Sequence, residues 1–163
     1  LAISVKHYYE DSVSKYSYPM CNYKALVTTN NIPLTHKTLW SMLNMYYIFA
    51  NPVMRKQVPE LNEVAKELNL TIYYVDASAK VEKDDYKKLL EYIDPVLKVN
   101  SSGEKGFYVP AVIGVKNGKL VDYHVSLLDD FELSKDDPDK QLSDAQKQEL
   151  QDIYRKIAKE VAD

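Results

Sequence analysis

The sequence predicts a mixed α/β domain, with a central sheet that carries helices on both faces and ends in an antiparallel hairpin and a last helix. Three observations predict it. Apolar, β-branched runs alternate with stretches of helical periodicity, as parallel strands joined by helical crossovers require. An apolar run, "MYYIFA" (Met45 to Ala50), stops at Asn51-Pro52, where a helix opens. Further on, Asn117-Gly118 separates two apolar runs, the strongest short-range hairpin signal.

The elements follow in order. Residues 1–23 carry five tyrosines among polar and charged breaks and read as an irregular or helical leader. "KALVTT" (Lys24 to Thr29) reads as a short strand ended by Asn30-Asn31 and Pro33. Thr35 then suits an N-cap, with Leu39, Met42 and Leu43 on one face of a helix. Met45 to Ala50 lacks polar alternation, which suits a strand covered on both faces. Asn51 is a good cap and Pro52 fits the first helical position, where its missing N–H is harmless. That helix is expected to run to about Asn69, with Val58, Leu61, Val64, Ala65 and Leu68 on one stripe and a kink at Pro59.

"TIYYVD" (Thr71 to Asp76) predicts a further strand. A helix over about 82–97 places Tyr86, Leu89, Leu90 and Ile93 on one side, with Pro95 bending or ending it. Asn100 to Gly106 reads as a flexible loop. Strands from Ala111 to Lys116 and from Lys119 to about Ser126 flank the Asn-Gly turn. An acidic loop, "DDFELSKDDPDKQ", leads to a helix from Ser143 with Leu150, Ile153, Tyr154, Ile157 and Val161 on its stripe. The organisation is thus a leader (1–23) and one domain (24–163).

Composition bounds the function. The chain has 163 residues, 45% hydrophobic and 28% charged, enough for one domain with a real core. Net charge is −3 and the basic residues are scattered, so no electrostatic footprint for nucleic acid is visible. Cys21 is the only cysteine, which excludes an internal disulfide and a cysteine-based zinc cluster. His7, His36 and His124 have no ligand-like spacing, "DDPD" (Asp136 to Asp139) lacks the glycine and distal glutamate of a calcium loop, and no Gly-rich phosphate loop occurs. Neither a metal nor a cofactor is expected. No apolar window reaches membrane-span length. The chain begins Leu-Ala-Ile-Ser-Val-Lys without Met, which favours an extracytoplasmic or membrane-associated product whose leader or anchor preceded Leu1.

Three local patterns resemble the thioredoxin family. Its active-site helix opens with Cys-x-x-Cys and carries a proline five residues after the second cysteine. Pro59 lies five residues after Met54, which sets Asn51-Pro52-Val53-Met54 on the motif. "VPAVIGVKNGK" (Val109 to Lys119) is similar to the family's cis-proline turn and following strand. "VPELNEVAKELNLTIYYVD" (Val58 to Asp76) resembles bacteriocin-transport-accessory-type thioredoxin-like proteins of Gram-positive bacteria. The resemblance implies a three-layer α/β/α thioredoxin-like fold and a cis Val109–Pro110 bond. The segment 77–108, longer than a minimal thioredoxin needs, departs from the pattern.

Thiol–disulfide exchange needs an attacking thiolate and a resolving thiol, and Asn51 and Met54 supply neither. The family's buried acid falls at Met45. Disulfide oxidoreductase activity is therefore not expected, and no catalytic residue is assigned. Asn51 can satisfy the helix-end amides that a thiolate would otherwise face, which is also all that a plain helix cap requires. In the family the backbone before the cis proline pairs with an extended substrate. The resemblance thus implies a redox-inactive module that binds a protein or peptide partner through Asn51, Pro52, Val53, Met54, Tyr108, Val109 and Pro110. Bacteriocin export or extracytoplasmic protein maturation is the implied setting. The alternatives are a single-thiol protein acting through Cys21 and a structural domain of a larger assembly.

Overall fold

The computed structural model describes residues 23–26, 38–43, 52–76, 83–134, 136–137 and 139–162. Strands β1 (Tyr23–Leu26), β2 (Thr38–Leu43), β3 (Ile72–Asp76), β6 (Ala111–Lys116) and β7 (Lys119–Val125) form one sheet in the order β1-β3-β2-β6-β7. β1 and β2 flank β3 in parallel, with Tyr23 and Leu39 both opposite Ile72. β6 runs antiparallel to β2 and to β7, and a register shift between Gly114 and Val115 interrupts the β6–β7 ladder. β4 (Lys98–Val99) and β5 (Lys105–Gly106) make a separate two-stranded pair. Helices α1 (Pro52–Glu67), α2 (Lys83–Tyr92) and α3 (Asp144–Ala162), with a 3-10 turn at Asp94–Val96, complete the described architecture.

β6 explains how the core divides. Residues 111–115 are buried throughout, and alternate side chains enter different clusters. Val112 joins Leu61, Val64 and Ala65 of α1 and Leu150, Tyr154 and Ile157 of α3. Ala111, Ile113 and Val115 join Leu89, Ile93 and Val96 around α2 and the 3-10 turn. Strand side chains alternate between faces, so β6, apolar over residues 111–115, is covered on both of them. α1 and α3 are also tied at their rims: Gln151 donates to Glu60 Oε2 at 2.6 Å, and Arg155 grips the Glu67 carboxylate at 2.7 and 3.1 Å.

Helix ends follow local chemistry. The N–H of Gln146 reaches Ser143 Oγ while Ser143's N–H reaches Gln146 Oε1, a reciprocal capping box before α3. α1 stops where Asn69 takes φ 48°, with Leu70 N–H bonded to Ala65 O and Asn69 N–H to Lys66 O. That reversal turns Leu68 out, 41% exposed, and brings Leu70 against the core instead, which corrects the predicted stripe.

Other expectations also change. The stretch 38–43 is a strand, not a helix: it fills the slot between β3 and β6, where two ladders pair its backbone. The helix expected over 82–97 ends at Tyr92, ahead of Pro95, whose ring is incompatible with a continuing helix. Tyr86 is exposed, because this short helix packs through its C-terminal half. The supposedly flexible Asn100–Gly106 segment is an ordered connection. Asn100 Oδ1 accepts from the N–H groups of Ser102 and Glu104, and β5 pairs back on β4. The acidic loop after β7 is held by Phe131 and Leu142, both in the core. The Met45–Ala50 run, Asn51, Met45, Cys21, His7, His36 and residues 1–22 lie outside the described residues.

Candidate functional site

The predicted site falls at the first turn of α1 and at the entry to β6. Pro52 begins α1 as expected, and Pro59 sits inside it. Val53 is half-buried against the α1–α3 core. Met54, expected among the partner-binding residues, is 1% exposed: the helical turn directs its side chain inward, where it packs.

At the other half of the site, the Val109–Pro110 peptide is cis and Pro110 is buried. Phe107 and Val109 pack against the Ile93 cluster while Tyr108, 45% exposed, turns outward. The Tyr108 ring lies over Gly106, where an added Cβ would stand 3.3 Å from Cε2. Between β5 and β6, the amide and carbonyl groups of Phe107, Tyr108 and Val109 pair with no other backbone group among the described residues.

A relay joins the two halves. Gln57 Nε2 donates to the Ser126 carbonyl at 3.1 Å, and the Ser126 N–H donates to the Pro110 carbonyl at 2.8 Å. Ser126 adopts φ 70°, which turns the chain after β7 so that both its backbone groups serve this link. Neither Gln57 nor Ser126 was singled out from the sequence.

Beneath this link lies a polar group inside the core. Tyr154 is fully buried, and its ring meets that of His124 edge-on at 6.0 Å. Tyr154 Oη, Gln57 Oε1 and His124 Nε2 are all buried without a hydrogen-bond partner among the described residues. Burial pushes the Tyr154 phenol well up. Burial likewise holds His124 below its ordinary value, reinforced by the charge of Lys98.

The first turn of α1 also holds charge. Arg55 pairs with Asp139 of the acidic loop at 3.0 Å. Lys56 is 6% exposed, and among the described residues its Nζ makes one hydrogen bond, to the Pro52 carbonyl at 3.4 Å. Burial and the neighbouring Arg55 lower its pKa, opposed by the more distant charges of Asp139 and Asp137. A sequence signal for this cation existed. No Asp or Glu occurs from Ser12 to Pro59, while Lys15, Lys24, Lys37, Arg55 and Lys56 do.

Among the described residues, no group of three or more His, Cys, Asp or Glu side chains is placed to hold a metal ion. No described helix is long and apolar enough to cross a membrane. No protein-family model matches the chain, and no curated protein does. One solved structure to which the chain is similar is a thioredoxin from Aeropyrum pernix, at 16% identity and a TM-score of 0.34. The match covers 57% of this chain and 65% of that one, so the chain spans under two thirds of that protein's length.

Proposed function

We propose that this chain is a thioredoxin-like domain without a redox pair, which holds an extended segment of a partner protein along Phe107–Val109. One observation carries the reading. These three residues lie between two strands with their backbone groups unpaired among the described residues, while Tyr108 faces outward. An extended segment that paired with them would add a strand, with affinity from main-chain hydrogen bonds and selectivity from the flanking side chains. The strand order, with three parallel strands followed by two antiparallel ones, supports the thioredoxin-like assignment. The similarity of Val58–Asp76 to bacteriocin-accessory-type proteins favours a partner handled during export or extracytoplasmic maturation. With Asn51 and Met54 at the motif positions, the proposed role involves no disulfide exchange.

The test is a photo-crosslinking residue in place of Tyr108, followed by synthesis of the crosslinked segment as a free peptide. Saturable binding that protects the Phe107 and Val109 amides from hydrogen exchange is the expected result. Capture only by probes on the exposed face of α3 would defeat the reading and leave the domain a scaffold.

A further inference from the structure

We propose that the ammonium of Lys56, at the N-terminal end of α1, is the receptor for a single carboxylate carried by a bound peptide. This rests on the peptide-binding reading and names the chemistry that the peptide must bring.

Lys56 is nine-tenths buried, yet it has only the 3.4 Å contact with the Pro52 carbonyl, and no carboxylate lies within salt-bridge distance among the described residues. Lysines at such depth are ordinarily paired, because a buried cation without a counter-ion is costly. The setting sharpens the mismatch. A helix N-terminus already carries partial positive charge, so an ammonium there is repelled and an anion is attracted. The direction of the Lys56 pKa agrees: burial and Arg55 both disfavour its charged form.

Among the described residues no side chain supplies the missing anion. From Ser12 to Pro59 there is no acidic residue. Asp139, whose charge acts on Lys56, is engaged by Arg55 at 3.0 Å, and Glu60, one turn further along α1, accepts from Gln151. Asp137 and Asp139 act on Lys56 only through their fields. Among the described residues the site lacks an anion, and the charge of one that would complete it can be read. One unpaired ammonium is balanced by one monoanion. Arg55, which could have made the fork that phosphate favours, is already occupied. A carboxylate fits, from an acidic side chain or from a peptide C-terminus. Lys56 adjoins Gln57, whose link through Ser126 to Pro110 places the receptor at the same end of α1 as the proposed peptide strand.

The experiment is an NMR titration of the full chain with sodium acetate against sodium chloride at constant ionic strength, following the Met54–Gln57 amides and the Lys56 side chain. Saturable shifts with acetate alone are expected, weakened roughly tenfold or more in Lys56→Met, since a charge-assisted bond of ordinary strength is lost. Lys56→Gln provides a second variant should Lys56→Met not fold. Shifts that do not saturate, or that survive unchanged in the variants, overturn the site. Two hexapeptides then separate the sources: one blocked at both ends with a single Glu, one without acidic residues but with a free C-terminus. Displacement of acetate by either assigns the carboxylate. If neither displaces it, the peptide assignment is overturned and a small-anion site remains. A peptide captured at Tyr108 whose affinity is indifferent to Lys56→Met would preserve the binding reading and defeat this one.

Discussion

Gln57 of α1 hydrogen-bonds the Ser126 carbonyl at 3.1 Å, and through it the helix is coupled to Pro110 at the mouth of β6. One side chain therefore positions two segments 69 residues apart in sequence. The coupling has a price in polar burial: Gln57 is 1% exposed, yet its Oε1 finds no partner among the described residues. A leucine of similar size would avoid that desolvated oxygen and fill the core, so its absence is consistent with the link being the purpose of the residue.

Replacing Gln57 by Leu should therefore destabilise by only about 1 kcal/mol, because the lost bond to Ser126 is offset in part by removal of the unpaired oxygen. The more specific outcome is local. Exchange of the Ser126 amide, which is bonded to Pro110, should accelerate relative to amides in the middle of β6. Equal protection in both proteins would mean that Gln57 does not organise this turn. Urea denaturation and native-state hydrogen exchange on the same pair decide it.

Gly114 shows how closely α3 lies on β6. A Cβ there would stand 2.9 Å from both Ile157 Cγ2 and Val161 Cγ2. Both neighbours are buried and β-branched, so neither can swing clear, and Gly114→Ala should destabilise by about 1–3 kcal/mol through overpacking. Adding Val161→Ala opens space at the clash, so the double variant should be more stable than the sum of the two single losses predicts. Strict additivity in chemical denaturation would show that the helix simply moves away.

Much of this architecture was legible because it is locally encoded. Asn117-Gly118 makes its turn, Ser143 and Gln146 cap α3 with the sequence spacing of a capping box, and Pro52 opens α1. The stretch 38–43 was not legible, for a physical reason. Leu39, Met42 and Leu43 match a helical stripe, but six residues also fit a strand, and tertiary pairing on both edges decides between them. Leu68 failed for a related cause: the stripe is right up to the point where Asn69 reverses the chain. At the site, Pro52 was readable from local pattern and Pro110 from the resemblance to the thioredoxin turn. Gln57 and Ser126 were not, because their bond spans the chain and no spacing announces it. Lys56 was missed although its lack of nearby acidic residues was visible in the sequence.

His124 makes stability depend on pH with a definite sign. Its folded pKa is lowered, first by burial and then by Lys98, while the carbonyls of Leu127 and Ser126 and the charge of Asp129 oppose the shift. The unfolded chain thus binds the proton more tightly than the folded one. The contribution of neutral His124 is fully present above the ordinary value of about 6.5 and is lost as pH falls through the lowered folded value. His124→Gln should flatten that part of the stability curve, and the difference between variant and parent isolates it from His7, His36 and the carboxylates. A parent curve with the same slope as the variant between pH 6.5 and 5 would refute the assignment.

Met54 and Tyr108 separate folding from binding at the two halves of the site. Both belong to the face that the thioredoxin resemblance implies for a partner, but Met54 is 1% exposed and Tyr108 is 45% exposed. A charge at position 54 would be forced into the core, so Met54→Glu should lower stability by several kcal/mol, on the order of the cost of burying an unpaired charge. Any binding it abolished would then report unfolding. Tyr108→Ala removes an exposed ring that touches Gly106, and its effect on the denaturation midpoint should be small, within about 0.5 kcal/mol. If the backbone of Phe107–Val109 receives an extended peptide, Tyr108→Ala should still weaken that binding severalfold, because the ring borders the strand and shields its hydrogen bonds from water. Peptide titrations beside melting curves of both variants make the comparison. A Tyr108→Ala protein that is fully stable and binds as the parent does would move the contact surface away from this turn. A Met54→Glu protein that keeps its stability would show that the side chain of residue 54 can leave the core and reach solvent at the start of α1.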